Sequence, residues 1–156
     1  MQDDQQIRTD TICQKGVSKI MKYAVGIDVG GTNTRVALIN EEYKILERIQ
    51  FSTDSKDPEV TLNKIGEIIK EFGKEVEGIG ISCPGPLDLI EGVVLTPPNL
   101  PGWHHLALSK RLEEITGVRV CLENDANLAC LAEALEGAGA GKHFVQFLTI
   151  STGVGA

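Results

Sequence analysis

The chain has 156 residues, 42% hydrophobic and 24% charged, which suffices for one buried core but not for two lobes of ordinary domain size. Its formal charge of −7 lacks the basic excess that a nucleic-acid-binding surface needs. The leading residues are polar without an apolar core segment, so they are not a secretory signal, and no apolar stretch is long enough to span a bilayer.

Residues 1–20 precede Met21 and read as a disordered extension, with residues 21–156 as one domain. Two short apolar runs, Tyr23 to Ile27 and Val36 to Ile39, flank Asp28-Val29-Gly30-Gly31-Thr32-Asn33-Thr34-Arg35, which predicts a hairpin with two glycines at its tip and a third strand after it. Asp57-Pro58 is a helix start, Leu62, Ile65, Ile68, Ile69 and Phe72 recur at helical spacing, and Gly73 ends the run. Gly78 to Cys83 reads as a strand that stops at Pro84-Gly85-Pro86. Leu108, Leu112 and Ile115 mark a second helix ending at Gly117, and Val118 to Leu122 marks a strand. Leu128, Leu131, Ala132 and Leu135 mark a third helix ending at Gly137, and Phe144 to Ile150 a last strand entering Ser151-Thr152-Gly153-Val154-Gly155-Ala156. The order predicts an α/β domain, a mixed sheet with helices on its faces.

Chemistry concentrates at three turns. Adjacent glycines at the hairpin tip remove the Cβ atoms that keep an anion off the backbone, and their access to positive φ lets consecutive N–H groups converge on phosphate. A side chain at Gly31 is expected to fill the space through which phosphates approach. Neither Gly-x-x-x-x-Gly-Lys-Ser/Thr nor a helix-opening Gly-x-Gly-x-x-Gly is present, and an ordinary tight turn with a solvated Asp28 reads equally well locally. Asn124 and Asp125 fall at the carboxyl end of a strand, where open α/β sheets bind ligands. Local sequence favours a helix cap there; a carboxylate poised to take a hydroxyl proton is the alternative. The two roles are compatible, because Asn124 or Asn127 can cap while Asp125 stays free. Few cations are available to neutralise a polyphosphate, so Mg²⁺ plus backbone N–H groups is the phosphate-binding device to expect. Cys13, Cys83, Cys121 and Cys130 form no Cys-x-x-Cys pair and read as thiols of a reducing cytoplasm. Trp103 reads as packing, with His104 and His105 solvated.

Five motifs together resemble the ROK family of sugar kinases and sugar-responsive repressors: Asp28-Val29-Gly30-Gly31-Thr32, Gly80 to Asp88 around Pro84-Gly85-Pro86, Pro98-Asn99-Leu100-Pro101-Gly102-Trp103, Glu123-Asn124-Asp125-Ala126-Asn127 and Ser151-Thr152-Gly153-Val154-Gly155. The resemblance runs from about Lys22 to Ala156 and implies the actin-like, ribonuclease-H-like ATPase fold. It implies that Asp125 is the general base, that Asn124, Asp125, Gly85 and Asn99 contact the sugar, and that Asp28 faces Mg²⁺ directly or through water. Gly30, Gly31 and Thr32 would hold the phosphates of ATP from one side, with Thr152 and Gly153 on the other.

The family's Glu-x-Gly-His sugar segment, its Cys-rich zinc loop and its second lobe have no counterpart in these residues. The expectation is therefore the amino-terminal lobe of a glucokinase-like hexose kinase, inactive alone, with structural zinc only in the missing lobe. A cytoplasmic homodimer is expected for the full-length form, acting on hexose and ATP without nucleic acid or membrane partners. An N-acetylmannosamine or β-glucoside kinase is the alternative within the class, and a ROK repressor or a non-catalytic fragment the alternatives outside it.

Overall fold

Alternation of buried with less buried positions marks the inner strands of the sheet, while its edge strand at Ile45–Ser52 is mostly exposed. The computed structural model describes residues 22–150 and 154–155, so the reading of residues 1–20 lies outside the described residues. Strands β1 (Tyr23–Val29), β2 (Asn33–Asn40) and β3 (Ile45–Ser52) form an antiparallel meander. Strands β4 (Val76–Cys83) and β7 (Val120–Asn124) add in parallel beyond β1, giving the order β3-β2-β1-β4-β7. The mixed sheet matches the expectation, and the parallel strands β1, β4 and β7 all end at one edge.

One face of this sheet is the core. Val25, Ile27 and Val29 of β1 alternate inward with Val36 and Leu38 of β2, Ile79, Ile81 and Cys83 of β4, and Val120 and Leu122 of β7. Helices α1 (Pro58–Glu71) and α2 (Leu108–Thr116) cover it through Leu62, Ile65, Ile68, Leu108 and Leu112, all at most 1% exposed. At such positions truncation to Ala costs about 2–5 kcal/mol. Helix α1 starts as its sequence predicts: Pro58 occupies the first turn and the Asp57 side chain accepts from the Glu59 N–H at 3.0 Å. The two helices approach so closely that a Cβ on Gly66 would lie 2.5 Å from Ile115. Helix α3 (Asp125–Leu135) lies on the other face, where its Leu128 borders a recess floored by Gly26 and Gly80.

Three features depart from the sequence reading. A small hairpin, β5 (Leu87–Asp88) with β6 (Val93–Val94), and a 3-10 turn at Pro101–Trp103 fill the segment after β4; two-residue strands carry no periodicity to read. Within Phe144 to Ile150 only β8 (Thr149–Ile150) is a strand, paired with β9 (Val154–Gly155), and Phe144 is 85% exposed. The apolar composition of the segment is that of a strand, but among the described residues no strand pairs with residues 144–148. Finally, neither Gly30 nor Gly31 has positive φ, whereas Gly73 and Gly117 do, each just past a helix end.

Candidate active site at the carboxyl edge of the sheet

The hairpin turn is tied down from both sides. The Gly30 N–H donates to the Asn33 carbonyl at 2.9 Å, and the Thr53 N–H donates to the Thr32 carbonyl at 2.9 Å. The Gly31 and Thr32 N–H groups have no hydrogen-bond partner among the described residues. A Cβ on Gly31 would stand 2.8 Å from the Asn99 Cβ and 3.3 Å from its carbonyl oxygen. The glycine is required because the turn packs against the Asn99 loop, which corrects the expectation that a side chain there would fill the phosphate approach.

The loop that carries Asn99 is anchored behind it. Trp103 is fully buried, and its indole Nε1 donates to the Asp54 carbonyl at 2.9 Å. The Gly102 N–H donates to the Ser55 carbonyl at 2.8 Å, and a Cβ on Gly102 would collide with the Lys56 backbone. Trp103 is thus packing, as the sequence suggests, and it holds an exposed Asn99 at the turn; His104 and His105 are exposed.

Asp28, the last residue but one of β1, has both carboxylate oxygens engaged. Arg35 Nη1 donates to Oδ2 at 2.8 Å, and Ser82 Oγ donates to Oδ1 at 3.4 Å. Two strands away, Asn124 is the cap of α3, its Oδ1 accepting from the Ala126 N–H at 3.0 Å and the Asn127 N–H at 3.4 Å. Asp125 opens the helix, exposed, and accepts only from the Ala126 N–H among the described residues, at 2.9 Å. The competing cap assignment falls to Asn124, so Asp125 is available for chemistry at the N-terminus of α3. Glu123 Oε1 accepts from the Asn124 N–H at 2.8 Å and from Asn127 Nδ2 at 2.9 Å, fixing the start of the helix.

The two turns meet around Cys83 and Gly85. Burial pushes the Cys83 thiol up to about 12, and the charges of Asp125 and then Asp28 add to the shift. A Cβ on Gly85 would sit 3.5 Å from Asn124 Nδ2. The register sets Asp28 opposite Ser82 and Cys83 opposite Asn124, so Asp28, Gly85, Asn124 and Asp125 lie at the carboxyl ends of β1, β4 and β7, and Gly31 packs on Asn99 in the turn that follows β1. Thr152 and Gly153 lie outside the described residues.

The donor set fits a magnesium-bound nucleotide in a limited way. No three His, Cys, Asp or Glu side chains cluster closely enough to hold a metal among the described residues. Mg²⁺ is commonly held by one or two carboxylates together with phosphate oxygens and water, and Asp28 beside two unpaired N–H groups of a glycine turn supplies that much. Among the described residues, no helix is long and apolar enough to cross a membrane.

Sequence and fold comparisons identify the family. The ROK family model matches residues 24–156, and the chain belongs to that family. A glucokinase of Thermotoga maritima is 40% identical over 134 residues, which cover 84% of this chain and 42% of the relative. The ROK hexokinase from Thermus thermophilus superposes with a TM-score of 0.74 at 36% identity, over 85% of this chain and 45% of that one. A ROK glucokinase from Streptomyces griseus, solved with glucose and AMPPNP, gives 0.69 at 33% identity, over 76% of this chain and 38% of that one. The fold is thus the actin-like ATPase fold of ROK sugar kinases, and the chain spans less than half the length of these relatives.

Proposed function

We propose that this chain is the amino-terminal lobe of an ATP-dependent hexose kinase, glucokinase-like, in which Asp125 is the general base. The observation that carries the reading is that Asn124 takes over the capping of α3, leaving Asp125 exposed at the first position of the helix. Likeness to a Thermotoga maritima glucokinase and to a glucokinase structure holding glucose and AMPPNP supports it.

Bound ATP with Mg²⁺ supplies the transferable phosphoryl group. Asp125 accepts the proton of the attacking sugar hydroxyl and holds that hydroxyl in line. Because Asn124 Oδ1 is committed to the cap, its Nδ2 is the free donor, turned toward Gly85 and available to a sugar hydroxyl oxygen. Asn99 borders the sugar from the loop against Gly31. The Gly31 and Thr32 N–H groups would donate to phosphate oxygens, with Gly30 shaping the turn, and Asp28 would hold the magnesium directly or through water. Thr152 and Gly153 would close on the phosphates from across the cleft. On this reading a second lobe completes the site and carries the structural zinc, and the whole enzyme is a cytoplasmic homodimer; the family resemblance alone carries these last points.

ADP release by the full-length protein, measured with Mg-ATP and glucose, N-acetylmannosamine or a β-glucoside in turn, tests the reading. Turnover with glucose supports it, turnover with another sugar alone reassigns the substrate, and release with none of them contradicts the kinase assignment.

A further inference from the structure

Five polar side chains stand in one line across the sheet, a pattern that the phosphate turn and the sugar loop do not account for. The register pairs Gln50 of β3 with Arg35 of β2, Arg35 with Asp28 of β1, Asp28 with Ser82 of β4, and Ser82 with Glu123 of β7. Their neighbours along each strand point into the core, so the line lies on the face away from α1 and α2. Within it Arg35 makes two directed bonds, Nε to Gln50 Oε1 at 3.1 Å and Nη1 to Asp28 Oδ2 at 2.8 Å. A planar guanidinium held at two donors is fixed in orientation, and it fixes the carboxylate it touches. The side chains of the pair are 46% and 48% exposed, so it adds little to folding stability. Its consequence is for the charge that an incoming nucleotide meets.

We propose that Arg35 is a positioning residue that holds Asp28 and sets how strongly the site prefers magnesium-loaded ATP over the bare polyphosphate. The proposal rests on the reading of the Gly30–Thr32 turn as a phosphate site. With Arg35 present, the carboxylate is paired and the local charge is balanced. Without it, Asp28 is uncompensated, repelling bare ATP and attracting the cation. Without Asp28, the remaining guanidinium attracts bare ATP and opposes the cation. A unit charge a few ångström away in a largely watery setting alters such a preference roughly five- to tenfold.

Calorimetric titration of the full-length protein with ATP in excess EDTA, and with ATP in excess Mg²⁺, gives the ratio of the two affinities. The expected results are a ratio raised roughly five- to tenfold in Arg35→Gln, held within about twofold in Arg35→Lys, which keeps the charge, and lowered in Asp28→Asn. An unchanged ratio in Arg35→Gln, or equal loss of both affinities as a purely structural role would give, overturns the proposal. Should Arg35→Gln fail to fold, an unchanged ratio in Asp28→Asn overturns it equally. Failure of the wild-type protein to bind ATP in either form sinks the phosphate-site reading itself, and the role of Arg35 with it.

Discussion

Gly31 and Asn99 are in contact with no room for a side chain between them: a Cβ on the glycine would lie 2.8 Å from the Asn99 Cβ. The turn assigned to phosphate and the loop assigned to sugar therefore share one packing surface. Gly31→Ala should push the two apart and weaken glucose and Mg-ATP binding together, each by roughly tenfold, since misplacement by about an ångström is costly in such sites. Titration of both ligands checks this. Loss of nucleotide binding alone would mean that the contact with Asn99 plays no part.

Asn124 carries the cap that local sequence could equally have given to Asp125. Asn124→Ala should lower stability by about 1 kcal/mol, the usual cost of losing an N-cap, whereas Asp125→Ala should have a smaller effect. Chemical denaturation of the two variants decides between them, and equal losses would return Asp125 to a capping role.

Glu59 and Arg111 join α1 to α2 through two bonds, 2.8 and 2.7 Å long. The Arg111 guanidinium holds the Glu59 carboxyl below its ordinary range, which outweighs the opposing effect of desolvation. A depressed carboxyl contributes stability that is complete above its unfolded value and is lost as pH falls through the lower folded value. Both side chains are 40% exposed, so solvent screening keeps the effect small. Melting temperatures of wild type and Glu59→Gln should differ at pH 7 and converge below about pH 4. Curves that stay apart in acid would show that the two bonds act through packing.

The chain of residues 1–156, expressed alone, should have no measurable hexose kinase activity and should self-associate. Phe144 is 85% exposed, Leu135 64%, Leu148 57% and Leu131 52%, a group of apolar side chains around α3 and the segment that follows it. Size-exclusion chromatography beside a coupled glucose and Mg-ATP assay tests both halves. A monodisperse monomer with clear turnover would show that this lobe suffices.

The fold was legible where physics is local. Apolar runs on either side of the Gly30-Gly31 turn gave the hairpin, Asp57-Pro58 gave the start of α1, and Gly73 and Gly117 gave the ends of α1 and α2. Residues 144–148 have the composition of a strand, but composition does not decide pairing, and the segment forms no ladder with the edge strand β7 among the described residues. In the site, Asp28 and Asp125 stood out as carboxylates at strand ends. The pairing of Arg35 with Asp28 is also legible, since a hairpin centred between Gly31 and Thr32 sets the two opposite each other. Ser82 and Gln50 depend on register between strands distant in sequence, and Gly31 meets Asn99 only through the anchoring of Trp103, which no local pattern encodes.

Asp125→Asn in the full-length protein tests the central claim most directly, because it keeps the side chain's shape while removing the base. With glucose and Mg-ATP saturating, kcat should fall by roughly 10²-fold or more, with glucose and ATP dissociation constants and the melting temperature close to wild type. Near-normal turnover by Asp125→Asn would contradict the assignment of Asp125 as the residue that takes the proton.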